Sequence, residues 1–431
     1  ESLYEWQKAA IDAWRGADMC GTVMAPTGSG KTKVATTIIS DWRDSTLSRG
    51  EGYGIVVVVP TRRLMQQWYD VMSNELHMDR VGRYGGGHFD RHLNVIVAVV
   101  NSARKLHFSS PNTLLICDEA HRMATERNRV IFKHMTHDAV LGLSATPERA
   151  DGKDVTTFTG EVVYRLGYAQ AVEDGVIPHF SVNIIQTRLH ASERHEYTQA
   201  SRRIGMYAKK IAEVWGNRSP MTISEELDEN VTFWRNACME RKRMVNDSAQ
   251  RRVVLDSLMR EHRGRKVAVF HESVDAIEEI ACKYRDEGMK VDVFHSETID
   301  GDAQFTRWCN SVPDEGRVLF SCKALKEGIN VPSMEVVIML SGSNDARSRI
   351  QTLGRALRGT AADVYLLYAI DTTDIRGWQE MVQVGQIPKE FLKHSRWVDE
   401  GIEPLHSTSL VKVPPMPTAE EVLGLSSNNQ P

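Results

Sequence analysis

The stretch Ala25-Pro26-Thr27-Gly28-Ser29-Gly30-Lys31-Thr32 joins an apolar, strand-like run at 21–24 to a helix-length segment at 31–42. Glycines at these positions let backbone N–H groups close around phosphate oxygens. In such a loop, Lys31 reaches the β- and γ-phosphates of a nucleotide, and the hydroxyl of Thr32 binds Mg²⁺. The sequence therefore predicts a phosphate-binding loop at this point. The other loop residues that we expect to contact the nucleotide are Pro26, Thr27, Gly28, Ser29 and Gly30.

On both sides of this loop, short β-branched runs alternate with amphipathic segments of helical length. Near-continuous apolar strands that are separated by helices are typical of a parallel sheet covered on both faces. The first part of the chain is therefore predicted to be an α/β domain. Its strand-like runs lie at 21–24, 55–59, 95–99, 114–117 and 140–143.

Two carboxylates, Asp118 and Glu119, directly follow the strand-like run at 114–117. A carboxylate at the carboxyl end of a parallel strand points into the ligand crevice of an open α/β sheet. Asp118 is therefore placed to hold Mg²⁺, and Glu119 to orient and deprotonate an attacking water. Together with the phosphate loop, this pair predicts nucleotide hydrolysis.

The alternation of strands and helices resumes near residue 263, and it predicts a second parallel α/β domain. We divide the chain into an ATP-binding domain (1–165), a linker with a mostly helical insert (166–262), a second α/β domain (263–400) and a mobile tail (401–431). Gly216 to Pro220 breaks the insert into two parts. The predicted strands of the second domain lie at 266–270, 290–294, 317–320, 336–340 and 364–369.

The composition of the 431 residues is that of an ordinary globular chain, with a net charge of −4. Any surface that binds nucleic acid must therefore be local rather than global. The six cysteines form no C-x-x-C pair, which excludes a zinc ribbon and favours reduced thiols. Since neither a signal segment nor a membrane-length apolar run occurs, we expect a cytoplasmic protein, or a nucleoid or nuclear one, with no membrane partner.

Asp118-Glu119-Ala120-His121 and Leu143-Ser144-Ala145-Thr146-Pro147 resemble the DEAH-type Walker B motif and the Ser-Ala-Thr motif of superfamily 2 helicases. Residues 142–149 and 353–358 are most similar to the XPB-like group, which includes DNA-repair helicases, phage branch-migration helicases and helicase subunits of restriction or defence systems. This resemblance implies two RecA-like domains around an ATP cleft. It also implies that Ser144 and Thr146 link the nucleotide state to the domain geometry.

The same resemblance assigns roles to residues outside these motifs. Gln7 is similar to the glutamine that reads adenine, and Pro60, Thr61 and Arg62 are similar to the motif that grips the nucleic-acid backbone. Gly328 and Asn330 lie in a segment that resembles motif five, which implies that they contact the nucleotide; Asn330 stands in the place of the family's usual aspartate.

Gln351, Arg355 and Arg358 lie in a segment that resembles motif six. Their spacings of four and three residues put all three on one face of a helix. Guanidinium groups suit the charge that develops on a transferring γ-phosphoryl group. The resemblance implies that Arg355 and Arg358 are arginine fingers, with Gln351 near the attacking water.

Three further features admit two interpretations each. His271 and His295 follow strands of the second domain, where they either contact nucleic acid or belong to ordinary polar caps. Tyr84 to His88 is either a loop near the substrate or a plain turn, and we favour the turn. Basic residues between 241 and 266 either follow phosphates or form a solvated helix face, and the second is more common.

We interpret the sequence as an ATP-dependent nucleic-acid helicase or translocase that uses ATP and Mg²⁺ and acts on DNA, with 3′-to-5′ movement favoured by the family resemblance. We expect it to grip the nucleic-acid backbone without strong sequence preference. One alternative is an RNA helicase. Another is a non-unwinding ATP-driven sensor or recruitment subunit of a nuclease or defence complex. A protein partner would have to supply any nuclease or targeting activity.

Overall fold

The computed structural model describes residues 2–123, 125, 127–145, 156–216, 218–312, 315–322, 334–341, 362–374, 387, 389–398 and 401–405. Within these ranges the strands form two eight-stranded sheets. Each sheet is mostly parallel and carries buried apolar side chains on both faces. The predicted α/β fold class is therefore confirmed.

The first sheet is built from the first 165 residues. Its strands are β1 (Cys20–Met24), β2 (Gly54–Val59), β3 (Val81–Gly85), β4 (His88–Phe89), β5 (Val95–Val99), β6 (Thr113–Asp118), β7 (Ala139–Ser144) and β8 (Val162–Arg165). They lie in the order β4-β3-β5-β2-β6-β7-β1-β8, and every pair is parallel except the β3-β4 hairpin. The segment from Tyr84 to His88 contains the turn of that hairpin: Gly86 and Gly87 form the turn, and Gly85 pairs with His88 on either side of it.

Seven helices accompany the first sheet within the described residues. They are α1 (Glu5–Gly16), α2 (Lys31–Ser48), α3 (Arg62–Asp70), α4 (Val100–Ala103), α5 (Arg129–His134), α6 (Thr156–Thr159) and α7 (Tyr168–Glu173). Helix α1 buries one apolar face, with Trp6, Ala10, Ile11 and Trp14 in the core. Helix α3 continues as a π-helical turn at Val71–Glu75.

The second sheet contains strands from both sides of the insert. They are β9 (Phe180–Thr187), β10 (Val267–His271), β11 (Val291–Phe294), β12 (Val318–Cys322), β13 (Val336–Met339), β14 (Ala362–Ala369), β15 (Leu392–Val398) and β16 (Gly401–Pro404). Their order is β11-β12-β10-β13-β14-β9-β15-β16, and only the last pair is antiparallel.

Three helices connect β9 to β10, and two more follow β10 and β11. They are α8 (Ala191–Trp215), α9 (Glu229–Asn246), α10 (Ala249–Glu261), α11 (Val274–Asp286) and α12 (Gly301–Asn310). Helix α8 is followed directly by Gly216, which has a positive φ of 61°. Glycine adopts this backbone conformation without strain because it has no Cβ atom. The helical character and the break near Gly216 agree with the prediction for this part of the chain.

Two of the strands contradict the character that the sequence predicted for the segments containing them. Phe180–Thr187 lies inside the segment taken as linker and insert, yet it pairs with β14 and β15 in the centre of a sheet. Gly401–Pro404 lies inside the segment taken as a mobile tail, yet it pairs with β15. Both strands depend on partners that are distant or at a sheet edge, which local pattern does not reveal. The domain limits themselves stay a prediction.

All six cysteines are free thiols, in agreement with the expected reduced state. Burial, followed by the neighbouring Asp118 carboxylate, raises the pKa of the Cys117 thiol, so that it stays neutral at ordinary pH. In the part of the chain that the structure describes, no helix has both the length and the apolar character needed to cross a membrane.

Candidate active site

Three neighbouring strands of the first sheet bring the predicted motifs to one edge. Strand β7 lies between β6 and β1, with Met24 opposite Ser144 and Asp118 opposite Leu143. Because these strands are parallel, their carboxyl ends meet at the same edge of the sheet, where α/β proteins bind ligands. The phosphate loop, the Asp118-Glu119 pair and Ser144 are therefore adjacent.

The phosphate loop holds its lysine in place with its own backbone. The Nζ atom of Lys31 donates hydrogen bonds to the carbonyl oxygens of Ala25 (2.7 Å) and Pro26 (3.0 Å). Gly28 and Gly30 have φ values of 89° and 92°, which only glycine adopts without strain. Lys31 is thus poised at the loop and would exchange these carbonyls for phosphate oxygens.

Gln7 contacts the phosphate loop directly. Its side-chain amide donates to the carbonyl of Gly30 (3.1 Å), and its amide oxygen accepts from the N–H of Tyr4 (2.9 Å). A Cβ on Gly30 would lie 2.8 Å from Gln7 Nε2, so any larger residue there would displace this amide from its present position. Gln7 therefore lies beside the phosphate loop, and its role in reading adenine stays a prediction.

The loop also contains an unsatisfied polar atom. Among the described residues, the buried hydroxyl of Thr27 finds no hydrogen-bond partner. A buried hydroxyl without a partner costs free energy, and a ligand at the loop can supply the missing bond. The donor set of this loop thus fits a phosphate group.

Asp118 and Glu119 have distinct environments at the end of β6. Asp118 is buried, and its Oδ1 accepts from the backbone N–H of Glu119 (3.0 Å). Glu119 has left-handed backbone angles (φ 51°, ψ 52°), which cost a residue with a Cβ about 1–3 kcal/mol. Such strain concentrates at functional sites, in agreement with the catalytic role predicted for Glu119.

A chain of contacts runs from Glu119 to the end of β7. His121 Nδ1 lies 3.4 Å from Glu119 Oε2 and 3.2 Å from Ser144 Oγ. The carbonyl of Ser144 in turn accepts from the N–H of Ala25, at the start of the phosphate loop (3.2 Å). The sequence places His121 in the DEAH-type motif without indicating a role for it. In the structure, His121 links this motif to Ser144 of the Ser-Ala-Thr motif.

A second contact that the sequence did not reveal involves Trp68 on helix α3. Its indole N–H donates to Asp118 Oδ2 at 2.8 Å, and both side chains are buried. The only signal in the sequence was an apolar residue on the inner face of a helix, which is the common pattern of a core residue.

The side chains at this edge include oxygen atoms that could bind Mg²⁺. A magnesium ion prefers oxygen ligands and uses one or two carboxylates together with phosphate oxygens and waters. The Thr32 hydroxyl and the Asp118 carboxylate provide such oxygens. No cluster of three or more His, Cys, Asp or Glu side chains suited to a metal occurs in the described ranges. The donor set therefore fits a magnesium ion that is bound together with a nucleotide.

The residues predicted to grip nucleic acid lie after β2, at the same edge of the sheet. Pro60 follows the strand, and Thr61 caps helix α3 by accepting from the N–H of Leu64 (3.2 Å). Arg62 packs against the β3-β4 turn, since a Cβ on Gly86 would lie 3.0 Å from its Cδ. A contact between these residues and nucleic acid stays a prediction.

The two histidines of the second domain engage in protein contacts. His271 is buried, accepts from the N–H of Ser273 (3.0 Å) and lies 3.1 Å from Asp247. His295 lies 2.7 Å from Glu278 and accepts from the N–H of Glu297 (3.2 Å). These contacts match the polar-cap interpretation, and a nucleic-acid role for either histidine remains a prediction.

The remaining predicted site residues lie outside the described residues. They are Thr146, Gly328, Asn330, Gln351, Arg355 and Arg358.

Two family models match the chain in the order that the motifs predict. The model described as Type III restriction enzyme, res subunit, matches residues 1–149. The model described as Helicase conserved C-terminal domain matches residues 250–360. Together they span more than half of the chain.

Curated relatives match over most of the chain. The DNA 3′-5′ translocase XPB2 of Sulfurisphaera tokodaii is 26% identical over 399 residues, which cover 87% of this chain and 83% of the relative. The DNA 3′-5′ helicase XPB of Kineococcus radiotolerans is 25% identical over 86% of this chain and 61% of its own length.

Solved structures share the fold. The helicase domain of Pyrococcus furiosus Hef superposes with a TM-score of 0.56 at 15% identity, covering 88% of this chain and 98% of that one. Two sheets of this kind are the two RecA-like domains expected from the sequence. The motifs, the family models and the relatives agree, and the chain belongs to the superfamily 2 helicases, in the group that contains XPB-like and restriction-type members.

Proposed function

We propose that this ATP-dependent helicase is a translocase that moves along DNA in the 3′-to-5′ direction and remodels it. The observation that carries the proposal is the meeting of the phosphate loop, Asp118-Glu119 and Ser144 at the ends of three adjacent parallel strands. The preference for DNA and the polarity are supported by the relatives, which are named as 3′-5′ DNA translocase and helicase.

Each residue of the site has a role in this proposal. Lys31 leaves the carbonyls of Ala25 and Pro26 and binds the β- and γ-phosphates of ATP. Thr32 and Asp118 hold Mg²⁺, which when bound neutralises charge on the phosphates. Glu119 orients the attacking water and accepts its proton.

We further propose that the second domain completes the site. Arg355 and Arg358 stabilise the charge on the transferring phosphoryl group, and Gln351 lies near the attacking water. Gly328 and Asn330 contribute to the nucleotide side of the same cleft. Since these residues and the phosphate loop belong to different domains, hydrolysis requires the domains to close.

On the nucleic-acid side, Pro60, Thr61 and Arg62 contact the sugar-phosphate backbone at the edge where β2 ends. Contacts to phosphates carry no sequence information, so binding is largely independent of base sequence. The chain has a net charge of −4, so these contacts are local. Any nuclease or targeting activity would have to come from a protein partner, and the helicase itself acts in the cytoplasm, nucleoid or nucleus.

ATPase assays with matched polymers test this function. We expect single-stranded DNA to stimulate turnover more than RNA of the same sequence, and a 3′ tail to support strand displacement better than a 5′ tail. Lys31→Ala should abolish turnover, whereas Lys33→Ala, which changes an exposed neighbour on the same helix, should not. Stimulation by RNA alone would identify an RNA helicase, and stimulated turnover without movement or displacement would identify a sensor subunit.

A further inference from the structure

We propose that Trp68 is a positioning residue for Asp118, and that helix α3 uses it to couple nucleic-acid contact to magnesium binding. The indole N–H of Trp68 donates to Asp118 Oδ2 at 2.8 Å. Trp68 is 2% exposed and Asp118 is 9% exposed, so the bond lies in the protein interior. The inference rests on the proposed role of Asp118 as a magnesium carboxylate.

The carboxylate of Asp118 is fixed from two directions. Its Oδ1 accepts from the backbone N–H of Glu119 (3.0 Å), which belongs to the same segment of chain. Its Oδ2 accepts from Trp68, which is 50 residues away in sequence. These two bonds come from different parts of the chain, and together they constrain the plane of the carboxylate. Groups that hydrogen-bond to a metal ligand without touching the metal orient that ligand and tune the affinity for the metal.

Helix α3 connects this bond to Thr61 and Arg62, which we propose to contact nucleic acid. It is capped by Thr61, begins at Arg62 and carries Trp68 less than two turns later. A short helix moves as a unit, so a shift of its amino-terminal end on a phosphate displaces the indole as well. The carboxylate follows because a buried, charge-assisted hydrogen bond is costly to break.

Trp14 provides a matched comparison in the same domain. It is also 2% exposed, and its indole N–H donates to the backbone carbonyl of Val140 at 2.9 Å. Removing either indole N–H therefore costs one buried hydrogen bond of similar length. Only the Trp68 bond ends on a carboxylate of the proposed site, so only its loss should change metal binding.

The test titrates MgCl₂ into each protein with saturating ADP, with and without an oligothymidylate, and follows binding by calorimetry and melting temperature. For Trp68→Phe we expect magnesium affinity to fall by about tenfold, as for other outer partners of metal ligands. We also expect the oligothymidylate to tighten magnesium binding in the wild type and in Trp14→Phe but not in Trp68→Phe. At saturating magnesium, turnover of Trp68→Phe should recover most of its loss.

Two further variants make the outcomes distinguishable. Trp68→His keeps a ring N–H but fills less volume than phenylalanine, so a positioning role predicts better magnesium affinity than in Trp68→Phe, and a packing role predicts worse. Asp118→Ala should lose magnesium binding; if it does not, the proposed function fails at that residue. If Asp118→Ala loses binding while Trp68→Phe behaves like Trp14→Phe, the inference about Trp68 is overturned and the proposed function stands.

Discussion

His121 Nδ1 lies 3.2 Å from the hydroxyl of Ser144, and this contact joins the carboxyl end of β6 to that of β7. Asp118 and Glu119 occupy the first of these ends, and the phosphate loop is bonded to the second through Ala25. The proposed hydrolysis site is therefore connected by direct contacts to Ser144, the last residue of β7. This connection suits the coupling role that the family resemblance gives to Ser144.

Ser144→Ala removes the hydroxyl from this contact but leaves the phosphate loop and the Asp118-Glu119 pair unchanged. A hydrogen bond contributes about 0.5–1.5 kcal/mol, which corresponds to about a tenfold change in coupling at most. We expect turnover to stay within a few-fold of wild type and strand displacement to fall by about tenfold. Parallel ATPase and strand-displacement assays measure the two rates, and exposed Ser48→Ala serves as the control. Equal losses in both assays would contradict a coupling role.

Glu119→Gln keeps the size of the side chain but removes the base that we assign to the attacking water. General-base catalysis contributes about 10²–10⁴ to the rate, so turnover should fall at least about a hundredfold. Binding of a fluorescent ATP analogue should survive, because Lys31 and the loop are unchanged. The exposed residue Glu75 allows the same substitution as a control. Near-normal turnover in Glu119→Gln would remove Glu119 from the catalytic role.

Arg358→Ala tests the contribution of the second domain. An arginine finger acts on the transition state and is worth about 10³–10⁵ in rate in well-studied nucleotide hydrolases. We expect stimulated turnover to fall far more than nucleotide affinity, and nucleic acid to lose its stimulating effect. The control is Arg263→Ala, an exposed arginine in the same half of the chain. A folded Arg358→Ala protein with turnover within a few-fold of wild type would refute the finger assignment.

Single-strand affinity should depend on salt through the phosphate contacts. The slope of log affinity against log salt is about −0.7 for each phosphate that a basic side chain neutralises. Arg62→Ala should therefore make the slope shallower by about 0.7. Arg49 precedes β2, at the opposite edge of the sheet, and Arg49→Ala should leave the slope unchanged. Fluorescence anisotropy at a series of salt concentrations measures both, and a strong preference for one base sequence would contradict backbone gripping.

Stability should fall on mild acidification because of His262. Burial, with a smaller contribution from Arg265, lowers the pKa of this imidazole below its ordinary 6.5, although Glu261 and Asp363 act in the opposite direction. The folded state thus binds a proton less readily than the unfolded state. Above the pKa that His262 has in the unfolded chain, the neutral ring contributes its full stability to the fold. This contribution is lost as the pH falls below that pKa.

We therefore expect the free energy of unfolding to decrease as the pH is lowered from about 7 to 5. In His262→Asn, the slope of this free energy against pH should be smaller. Burial also lowers the pKa of His394, so part of the slope should remain. His77→Asn changes an exposed histidine and serves as the control. Urea titrations at each pH give the measurement, and an unchanged slope in His262→Asn would exclude His262 as its source.

Local pattern revealed most of the first sheet. The strand predicted at 95–99 has those limits in the structure, where all five of its apolar residues are buried. The phosphate loop and Asp118-Glu119 also lie where the strand-then-loop order predicts. In these cases the residues that define the feature are neighbours in sequence, so the sequence carries the information directly.

Other features depend on contacts between distant residues. Strand β9 contains Asn183 and Gln186, which interrupt its apolar pattern, and its pairing with β14 becomes visible only in the folded chain. The strand at 401–404 contains a glycine and a proline, which are tolerated at a sheet edge but do not signal a strand. The hydrogen bond between the Trp68 indole and Asp118 likewise depends on tertiary structure. The helical pattern of the sequence shows only that the side chain of Trp68 faces inward.

Strand β9 is synthesised long before β14 and β15, the two strands with which it pairs. The hydroxyl of Ser181 donates to the carboxylate of Asp363, and 182 residues separate the two. While the ribosome makes the intervening helices, β9 has emerged but both of its neighbouring strands are still missing. Unpaired strand edges of this kind are prone to aggregation. The nascent second domain is therefore exposed until the chain has passed β15, whereas every strand of the first sheet has emerged by residue 165.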